Sequence, residues 1–302
     1  MIVTVQGYNR KNNKAIQTAA TLAGMNAIIS GNKTLVLQLI GDDIDTVENE
    51  LYKIEHVIFG GEVESFEDKG IDSIIRVIES SKMNKDDFSQ ICTPLLRAEN
   101  RLDICAPSKN SRFYENILSN MTLIMDTLDN AVEVYQDIFI VCPSREPEVV
   151  KAINELDVVD ASIYCMKQGH KTRDTVYGNH PIYVATEFDD SSVFSLNVMK
   201  ETYGKSTDFY KIERNTNVTD AAMKGKLLYM IKKNTENDKL DINYVWSEDV
   251  KRILTRLANS KRGGKIKLLD PKYKDPFKKL LGKEEMSYSE DKNLDKYDEE
   301  EG

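Results

Sequence analysis

A regular alternation of short apolar runs with segments of helical spacing is the feature that most constrains how this chain folds. Residues 34–40 (TLVLQLI) and 137–141 (DIFIV) are nearly continuous apolar runs, typical of parallel strands covered on both faces. Segments of helical spacing separate runs of this kind from residue 2 to residue 232. The alternation predicts an α/β fold in which a mostly parallel sheet lies between two layers of helices.

The same pattern places the individual strands and helices along the chain. We predict strands at residues 2–5, 34–40, 102–105, 137–141, 161–166, 181–185 and 209–212. We predict helices at residues 15–29, 44–54, 71–78, 114–135, 147–156, 193–203 and 218–232. Because ligands of such sheets bind at the carboxyl ends of the strands, the loops that follow strands are the candidate positions for a site.

Charge divides the chain into three parts. The 302 residues contain 41 Lys and Arg against 50 Asp and Glu, which gives a net charge of −9. Residues 256–283 carry +8 and residues 284–302 carry −7, so the first 255 residues carry −10. The acidic body argues against a protein that coats nucleic acid by bulk charge.

The pattern also predicts how the chain divides into domains. We predict a main domain at 1–234, a basic amphipathic extension at 235–283, and a tip at 284–302 with too few apolar residues to fold. No apolar run approaches the roughly 20 residues that a transmembrane helix needs, and the first residues are strand-like, so we expect a cytoplasmic protein.

Little in the composition predicts a metal or redox site. Reduced, mostly buried thiols are expected at the four well-separated cysteines, Cys92, Cys105, Cys142 and Cys165. Metal ligands are not clustered, and we predict no metal site. Asp137 is interpreted as an ordinary surface charge, like Glu133 and Glu148.

The first strand, loop and helix have the layout of a phosphate-binding loop without its chemistry. In VTVQGYNRKNNKAIQTAATLA a strand is followed by a loop, Lys14 and an Ala-rich helix. Such a loop needs glycines that turn backbone N–H groups toward phosphate, and a Ser or Thr after the lysine to hold magnesium. Here the loop has no glycine after Gly7, and Ala15 follows Lys14. The lysine is therefore either a residual phosphate contact or a solvated surface residue.

Several ordered segments over roughly residues 1–234 resemble the ParA/MinD group of deviant-Walker P-loop ATPases. The resemblance rests on MIVTVQGY with Lys14, on TLVLQLIGDD, on DIFIVCPSR, and on IERNTNVTDAAMKGKLL with Asn215, Val218, Asp220, Ala221 and Gly225. The stretch at residues 71–112 is similar to the subgroup near the pilus-localisation protein TadZ. The resemblance implies a three-layer, P-loop NTPase-like sandwich and a homodimer formed through the face that normally sandwiches nucleotide.

The chain departs from this family at the positions that would carry nucleotide chemistry. The signature lysine falls on Asn9, the loop glycines on Arg10, Lys11 and Asn13, the magnesium-binding hydroxyl on Ala15, the two aspartates on Gln38 and Val141, and the pair near adenine on Thr186 and Glu187. Lys14 alone is retained. Because phosphoryl transfer depends on loop amides, lysines and magnesium, we predict a pseudo-ATPase with no catalytic residues and no required ATP or magnesium.

The C-terminal extension contains two amphipathic segments. Val250, Ile253, Leu254 and Leu257 share one face of a basic helix, which we expect to dock on the body. Residues 275–283 resemble the short membrane-targeting helix of MinD. A membrane or partner contact is predicted at Phe277, Lys278, Lys279, Leu280, Leu281 and Lys283. A few apolar side chains with lysines give weak, reversible binding to anionic lipid, and a partner-docking motif or a linker fits the same residues.

Together these features predict a catalytically inactive ParA/MinD-like localisation or assembly scaffold. Its expected partner is a protein of a larger machine for secretion, pilus assembly or conjugation. Its expected place is the cytoplasm, with the inner face of the plasma membrane as a peripheral site. Two alternatives remain: a partition module for plasmid or chromosome, with DNA the less favoured partner, and an atypical ATPase that still binds nucleotide.

Overall fold

A computed structural model describes most of the first 260 residues of the chain. The described residues are 1–7, 13–40, 46–51, 69–80, 83, 85–96, 102–169, 181–204, 208–236 and 239–260. All of them belong to one compact unit, Met1–Ile266. The predicted contact segment at residues 277–283 and the acidic tip lie outside the described residues.

The described strands form one sheet that is parallel except at one edge. The strands are β1 (Ile2–Gly7), β2 (Thr34–Gln38), β3 (Thr93–Leu96), β4 (Leu102–Cys105), β5 (Asp137–Val141), β6 (Ala161–Lys167), β7 (Pro181–Phe188) and β8 (Asp208–Glu213). Their order across the sheet is β3-β4-β2-β5-β1-β6-β7-β8, and only the β3–β4 pair is antiparallel. Strands β1, β2, β4 and β5 are buried along their whole length, which the nearly continuous apolar runs of β2 and β5 predict.

Helices cover both faces of the sheet. They are α1 (Asn13–Ser30), α2 (Val47–Leu51), α3 (Ile71–Ser80), α4 (Lys85–Ile91), α5 (Phe113–Ser119), α6 (Thr122–Val132), α7 (Pro147–Asn154), α8 (Leu196–Tyr203), α9 (Thr216–Met223), α10 (Leu227–Asn234) and α11 (Tyr244–Ser260). Helices α1, α2, α9, α10 and α11 pack together, and α3 to α7 form a second group. The predicted three-layer α/β fold with a mostly parallel sheet is confirmed.

Successive side chains of each strand pack on opposite faces of the sheet, so each strand contributes to the core on both faces. Leu35 and Leu37 of β2 pack with Ile138 and Ile140 of β5 in the core beneath the second helix group. At the far edge of the sheet, Tyr203 of α8 packs on the ring of Phe209 in β8. The neighbouring residue of β8, Asp208, forms an ion pair with Arg256 of α11 on the other face.

Two predicted helices are each interrupted. The helix predicted at residues 114–135 is two helices, α5 and α6, because Asn120 leaves the helical conformation and accepts a hydrogen bond from the Thr122 hydroxyl. The helix predicted at residues 218–232 is also two helices, α9 and α10, which a turn at Gly225 separates. Strand β3 and helix α4 were not predicted, because neither carries a strong apolar period.

The interpretation of Asp137 as a surface charge is wrong. This first residue of β5 is 1% exposed, and its Oδ2 accepts hydrogen bonds from the side-chain amides of Asn26, at 3.0 Å, and Asn32, at 2.8 Å. The carboxylate ties α1 and the loop after it to the sheet. Because burial of a charge is unfavourable unless it is paired or hydrogen-bonded, the fold accommodates it through these two amides and through the Met1 ammonium, whose nitrogen lies 3.4 Å from Oδ1.

The amphipathic basic helix near residue 250 docks on the body, as expected. Helix α11 packs on β8 and α1, and its apolar face is buried at Val250, Ile253, Leu254 and Leu257. The predicted domain boundary after residue 234 therefore lies inside the compact unit.

Candidate functional site

The candidate site lies at the carboxyl end of the sheet, where Lys14 meets Glu187. Lys14 stands in the first turn of α1, directly after the loop that follows β1. Its Nζ lies 2.8 Å from Oε1 of Glu187 and donates a hydrogen bond to Oε1 of Gln17 at 3.0 Å. The lysine retained from the phosphate-loop pattern is thus paired with a carboxylate of the same chain.

An irregularity in β7 places Glu187 in this position. The register between β7 and β8 shifts between Ala185 and Phe188, so the strand bulges where it reaches the site. Glu187 has φ of +52°, the one positive φ at a non-glycine position in the described residues. Bulges re-aim a side chain, and a left-handed conformation is costly for glutamate. The bulge and the lysine together hold the carboxylate at the start of α1.

Gln38 and Val141 are neighbours at the same carboxyl end of the sheet. They are the last residues of β2 and β5, and they are direct partners in the parallel register. The Gln38 side chain is buried; its Oε1 accepts from the backbone N–H of Val47 at 2.9 Å, and its Nε2 donates to the Cys105 carbonyl at 3.3 Å. Val141 is 1% exposed. Neither residue has a carboxylate, and the amide of Gln38 is already occupied by backbone groups.

Ala15 and Thr186 complete the part of the predicted set that the structure describes. Ala15 is buried in α1 and has no hydroxyl. The Thr186 hydroxyl donates to the carbonyl of Met166 at 3.3 Å and turns away from solvent. The structure thus brings Lys14 and Glu187 together, and it leaves the remaining residues of the set as buried parts of the sheet and of α1.

A small cavity lies beside the ion pair, between α1, β7, β8, α9 and α11. Its volume is about 30 Å³, and its lining includes Glu187, Glu213, Arg214, Asn215 and Trp246. A water molecule needs at least about 10–15 Å³ of such space, so the described residues leave room for about two waters. Small-molecule sites are typically about 300–1,000 Å³.

Sequence reasoning did not predict the role of Asp249 behind this cavity. Asp249 of α11 is 2% exposed, and its Oδ2 accepts the backbone N–H of Glu213 at 3.1 Å. Burial raises the pKa of Asp249 to about 6, and the positive charges of Lys211 and Arg252 lower it in part. Trp246, the single tryptophan of the chain, lies one helical turn before Asp249. It was the sequence feature that could have indicated a buried position in this part of α11.

The cysteines of the described part are buried and reduced. Burial raises the pKa of the Cys142 thiol to about 12, and that of Cys165 to about 12 as well. A thiol with this pKa is a poor nucleophile at neutral pH. Across the described residues there is no group of three His, Cys, Asp or Glu side chains that could hold a metal ion. Among the described helices none is long and apolar enough to cross a membrane.

The remaining predicted site residues are not described. Asn9, Arg10 and Lys11 lie outside the described residues. Asn13 begins α1, but its side chain also lies outside. The same holds for the tail contact residues Phe277, Lys278, Lys279, Leu280, Leu281 and Lys283.

The residues present can be tested against a nucleotide with magnesium. The side chains of Ala15 and Val141 carry no oxygen that could bind a metal ion, and the ammonium of Lys14 already faces a carboxylate. The cavity that the described residues form beside it has a volume of about 30 Å³, which is room for about two waters. The described residues do not fit a nucleotide with magnesium.

Comparison with known proteins finds similarity at the level of structure. No protein-family model and no curated protein sequence matches it. The structure of a ParA family ATPase from Chlorobium tepidum has a TM-score of 0.59 at 10% identity, over 82% of this chain and 95% of that one. A putative plasmid partition protein from Borrelia burgdorferi, solved with AMPPNP, has a TM-score of 0.51 at 16% identity, over 84% and 98%. The structure of the MinC:MinD cell division complex of Aquifex aeolicus has a TM-score of 0.51 at 8% identity, over 87% of this chain and 98% of that one.

These likenesses define the class of fold. The chain has the architecture of the ParA and MinD ATPases over nearly the whole length of those proteins. At identities of 8–16% the agreement concerns the backbone and says nothing of the site residues.

Proposed function

We propose that this protein is a catalytically inactive ParA/MinD-like scaffold for localisation or assembly, and that it works as a homodimer. The observation that carries the proposal is the ion pair between Lys14 and Glu187. In the family that the sequence resembles, the retained lysine faces phosphate. Here a carboxylate of the same chain takes that place, so no nucleotide is needed to neutralise the lysine.

Electrostatics disfavours a polyphosphate at this position. An incoming phosphate would have to displace Glu187 from Lys14 and would then lie beside an ionised carboxylate. Like charges in the partly buried surroundings of a sheet edge repel more strongly than in water. Displacement of Glu187 by phosphate replaces one ion pair of Lys14 by another and adds this repulsion. We therefore predict a loss of affinity for nucleotide.

The lack of metal ligands supports the absence of turnover. Magnesium in such sites is held by a hydroxyl and a carboxylate, and it neutralises the charge that develops on the phosphoryl group. Ala15 stands where the hydroxyl would be, and Gln38 and Val141 stand where the two carboxylates would be. Without these oxygens the described residues offer no route to phosphoryl transfer.

The proposed role follows from the class of fold. The similar structures include a ParA family ATPase, a putative plasmid partition protein and a cell division protein complex, so a role in positioning is the first one to test for this chain. Within that role we propose a protein partner in a secretion, pilus or conjugation machine, in keeping with the resemblance of residues 71–112 to the TadZ subgroup. A partition module and an atypical ATPase are the competing functions.

Calorimetric titration with ATP and magnesium tests the loss of nucleotide chemistry. We expect no saturable binding to the wild-type chain in the micromolar range and no phosphate release. Glu187→Ala should bind ATP about tenfold more tightly than wild type, again without turnover, because it frees Lys14. Glu201→Ala, an exposed carboxylate on α8, is the matched control and should behave as wild type. Micromolar, magnesium-dependent binding of ATP with turnover by the wild-type chain would refute the proposal and favour the atypical ATPase.

Localisation in cells tests the scaffold role. A fluorescent fusion should form polar or focal spots that persist in Lys14→Ala and disappear when the chain is truncated after Ser260, which leaves the docked helix α11 in place. Uniform fluorescence of the full chain would contradict the role. Salt-dependent retention of the pure protein on DNA would favour the partition module instead.

We also propose that the segment at residues 277–283 makes a weak, reversible contact with an anionic membrane. One short segment rarely anchors a protein alone, and two copies in a dimer would raise the avidity. Co-sedimentation with anionic vesicles should retain the wild-type chain and lose Leu281→Glu. Identical soluble behaviour of both proteins would end this part of the proposal.

A further inference from the structure

The outer face of α10 and the end of α9 form a basic surface in an otherwise acidic body. We define the basic surface as Lys224, Lys226, Tyr229, Lys232 and Lys233. All five side chains are exposed, and Tyr229 is 69% exposed. From residue 221 to residue 235 there are four lysines and no carboxylate, whereas the first 255 residues together carry −10.

Helix geometry puts Tyr229 in the middle of the lysines. Residues three and four apart on a helix are neighbours, with Cβ atoms about 5–6 Å apart. Lys226 lies three positions before Tyr229, and Lys232 and Lys233 lie three and four positions after it. The opposite face of α10 is buried, where Leu228 and Ile231 approach α1. The aromatic ring and the ammonium groups therefore face outward together.

The turn between α9 and α10 fixes the other end of the surface. Gly225 has φ of +63°; its N–H donates to the Ala222 carbonyl at 2.9 Å, and that of Lys226 donates to the Ala221 carbonyl at 2.7 Å. This is the Schellman pattern that ends helices at a glycine. It holds Lys224 and Lys226 on either side of the glycine, next to exposed Met223, and makes the surface a built feature of the fold.

Within the described residues, the lysines of the basic surface form no internal ion pair. In the described part of the chain, no side chain of the basic surface has a hydrogen-bond or ion-pair partner. By contrast, Lys211, Lys251 and Arg256, elsewhere in the same half of the chain, are all paired with carboxylates. Free positive charge around an exposed aromatic ring is complementary to a partner with carboxylates around an apolar side chain.

We propose that the basic surface binds an acidic protein segment in which carboxylates flank an apolar or aromatic side chain. The proposal goes beyond the proposed function and does not depend on it. Tyr229 would pack on the apolar side chain of the partner, with Met223 beside it, while the lysines pair with its carboxylates. Association should be steered by charge and weaken with salt.

Two other anionic partners fit the surface less well. A DNA duplex is a long rod of phosphates that would run past four lysines onto an acidic body, and it makes no use of exposed Tyr229 or Met223. A membrane surface calls for several apolar side chains that enter the lipid boundary, and the basic surface presents one tyrosine and one methionine. A short protein segment matches both the charge and the small apolar centre.

Fluorescence anisotropy with a labelled peptide tests the proposal on the full chain. The probe is a short blocked peptide with a central tryptophan flanked by glutamates, and its control replaces every glutamate by glutamine. We expect the wild-type chain to bind the acidic peptide and not its control. Lys226→Gln/Lys232→Gln/Lys233→Gln should weaken binding at least about tenfold, and Tyr229→Ala should also weaken it.

A control variant distinguishes the effect of the basic surface from an effect of the total charge of the protein. Lys109→Gln/Lys151→Gln changes two exposed lysines outside the basic surface and should bind the peptide as wild type does. Because the substituted lysines are exposed and unpaired, all variants should unfold at the wild-type temperature. Equal peptide binding by the triple variant would overturn the proposal. Stronger binding to duplex DNA or to phosphatidylserine vesicles, lost in the triple variant, would overturn it in favour of that partner.

Discussion

The ammonium of Lys14 and the carboxylate of Glu187 lie 2.8 Å apart and join the start of α1 to the end of β7. Both side chains are partly exposed, at 34% and 47%, so solvent screens their attraction. An ion pair of this kind contributes about 0.5 kcal/mol to stability. The pair is therefore a minor part of the free energy of folding.

A double-mutant cycle on this pair should give a small coupling energy. We expect Lys14→Ala, Glu187→Ala and the double variant to unfold in urea with a coupling of about 0.5 kcal/mol, which should fall in high salt. A coupling above about 2 kcal/mol would mean that the pair is a major part of the fold. A coupling of zero at low salt would mean that the two side chains do not interact in solution.

Because the backbone of Glu187 is left-handed, we expect glycine to be more stable than alanine at this position. Glu187→Gly should be more stable than Glu187→Ala by about 1 kcal/mol, because both lose the ion pair and only alanine keeps the steric cost of φ of +52°. The control position is Glu213 in β8, whose φ is not positive. There Glu213→Gly should be less stable than Glu213→Ala. The measurement is the urea midpoint of the four variants. Equal stabilities at position 187 would contradict the strained conformation.

Asp249 predicts a pH dependence of stability that a single substitution removes. Burial raises its pKa to about 6, against about 3.9 in an unfolded chain. Between these values the folded chain holds the additional proton, so the contribution of Asp249 to stability falls as the pH rises from about 4 to about 6. Asp249→Asn remains neutral and can still accept the Glu213 N–H. At pH 7 it should therefore be more stable than wild type by about 2 kcal/mol.

Urea unfolding at a series of pH values measures this effect. The difference between Asp249→Asn and wild type should shrink toward zero below pH 4, where the native carboxyl is protonated. The control is Asp129→Asn, an exposed carboxylate of α6, which should show no such trend. A difference that stays constant from pH 4 to pH 7 would show that Asp249 does not titrate in this range.

Asp137 predicts a large cost for the loss of a buried carboxylate. Asp137→Ala removes an acceptor from the amides of Asn26 and Asn32 and the carboxylate that faces the Met1 ammonium, and it should lower the free energy of unfolding by about 3 kcal/mol. Asp137→Asn keeps one oxygen and should lose less. Glu148→Ala, at an exposed position of α7, is the control and should change stability by under about 0.5 kcal/mol. A thermal melt in which Asp137→Ala matches this control would refute the role.

Local patterns in the sequence predicted the architecture well. The apolar runs of β2 and β5 and the helical spacing of α11 correspond directly to elements of the structure, because burial and backbone sterics act over a few residues. The patterns failed where a single residue interrupts a helix, as at Asn120 and Gly225. There the break depends on a hydrogen bond or a positive φ that an apolar period does not show.

The sequence by itself determined the fold class, and it determined that the side chains of Ala15 and Val141 carry no oxygen that could bind a metal ion. Only the tertiary structure decided that Glu187 meets Lys14, that Asp249 lies behind a cavity, and that Asp137 is buried. These relationships join residues far apart in the chain. They depend on the order of the strands and on a bulge in β7, which no local pattern encodes, because every strand of a parallel sheet presents the same alternation wherever it is inserted.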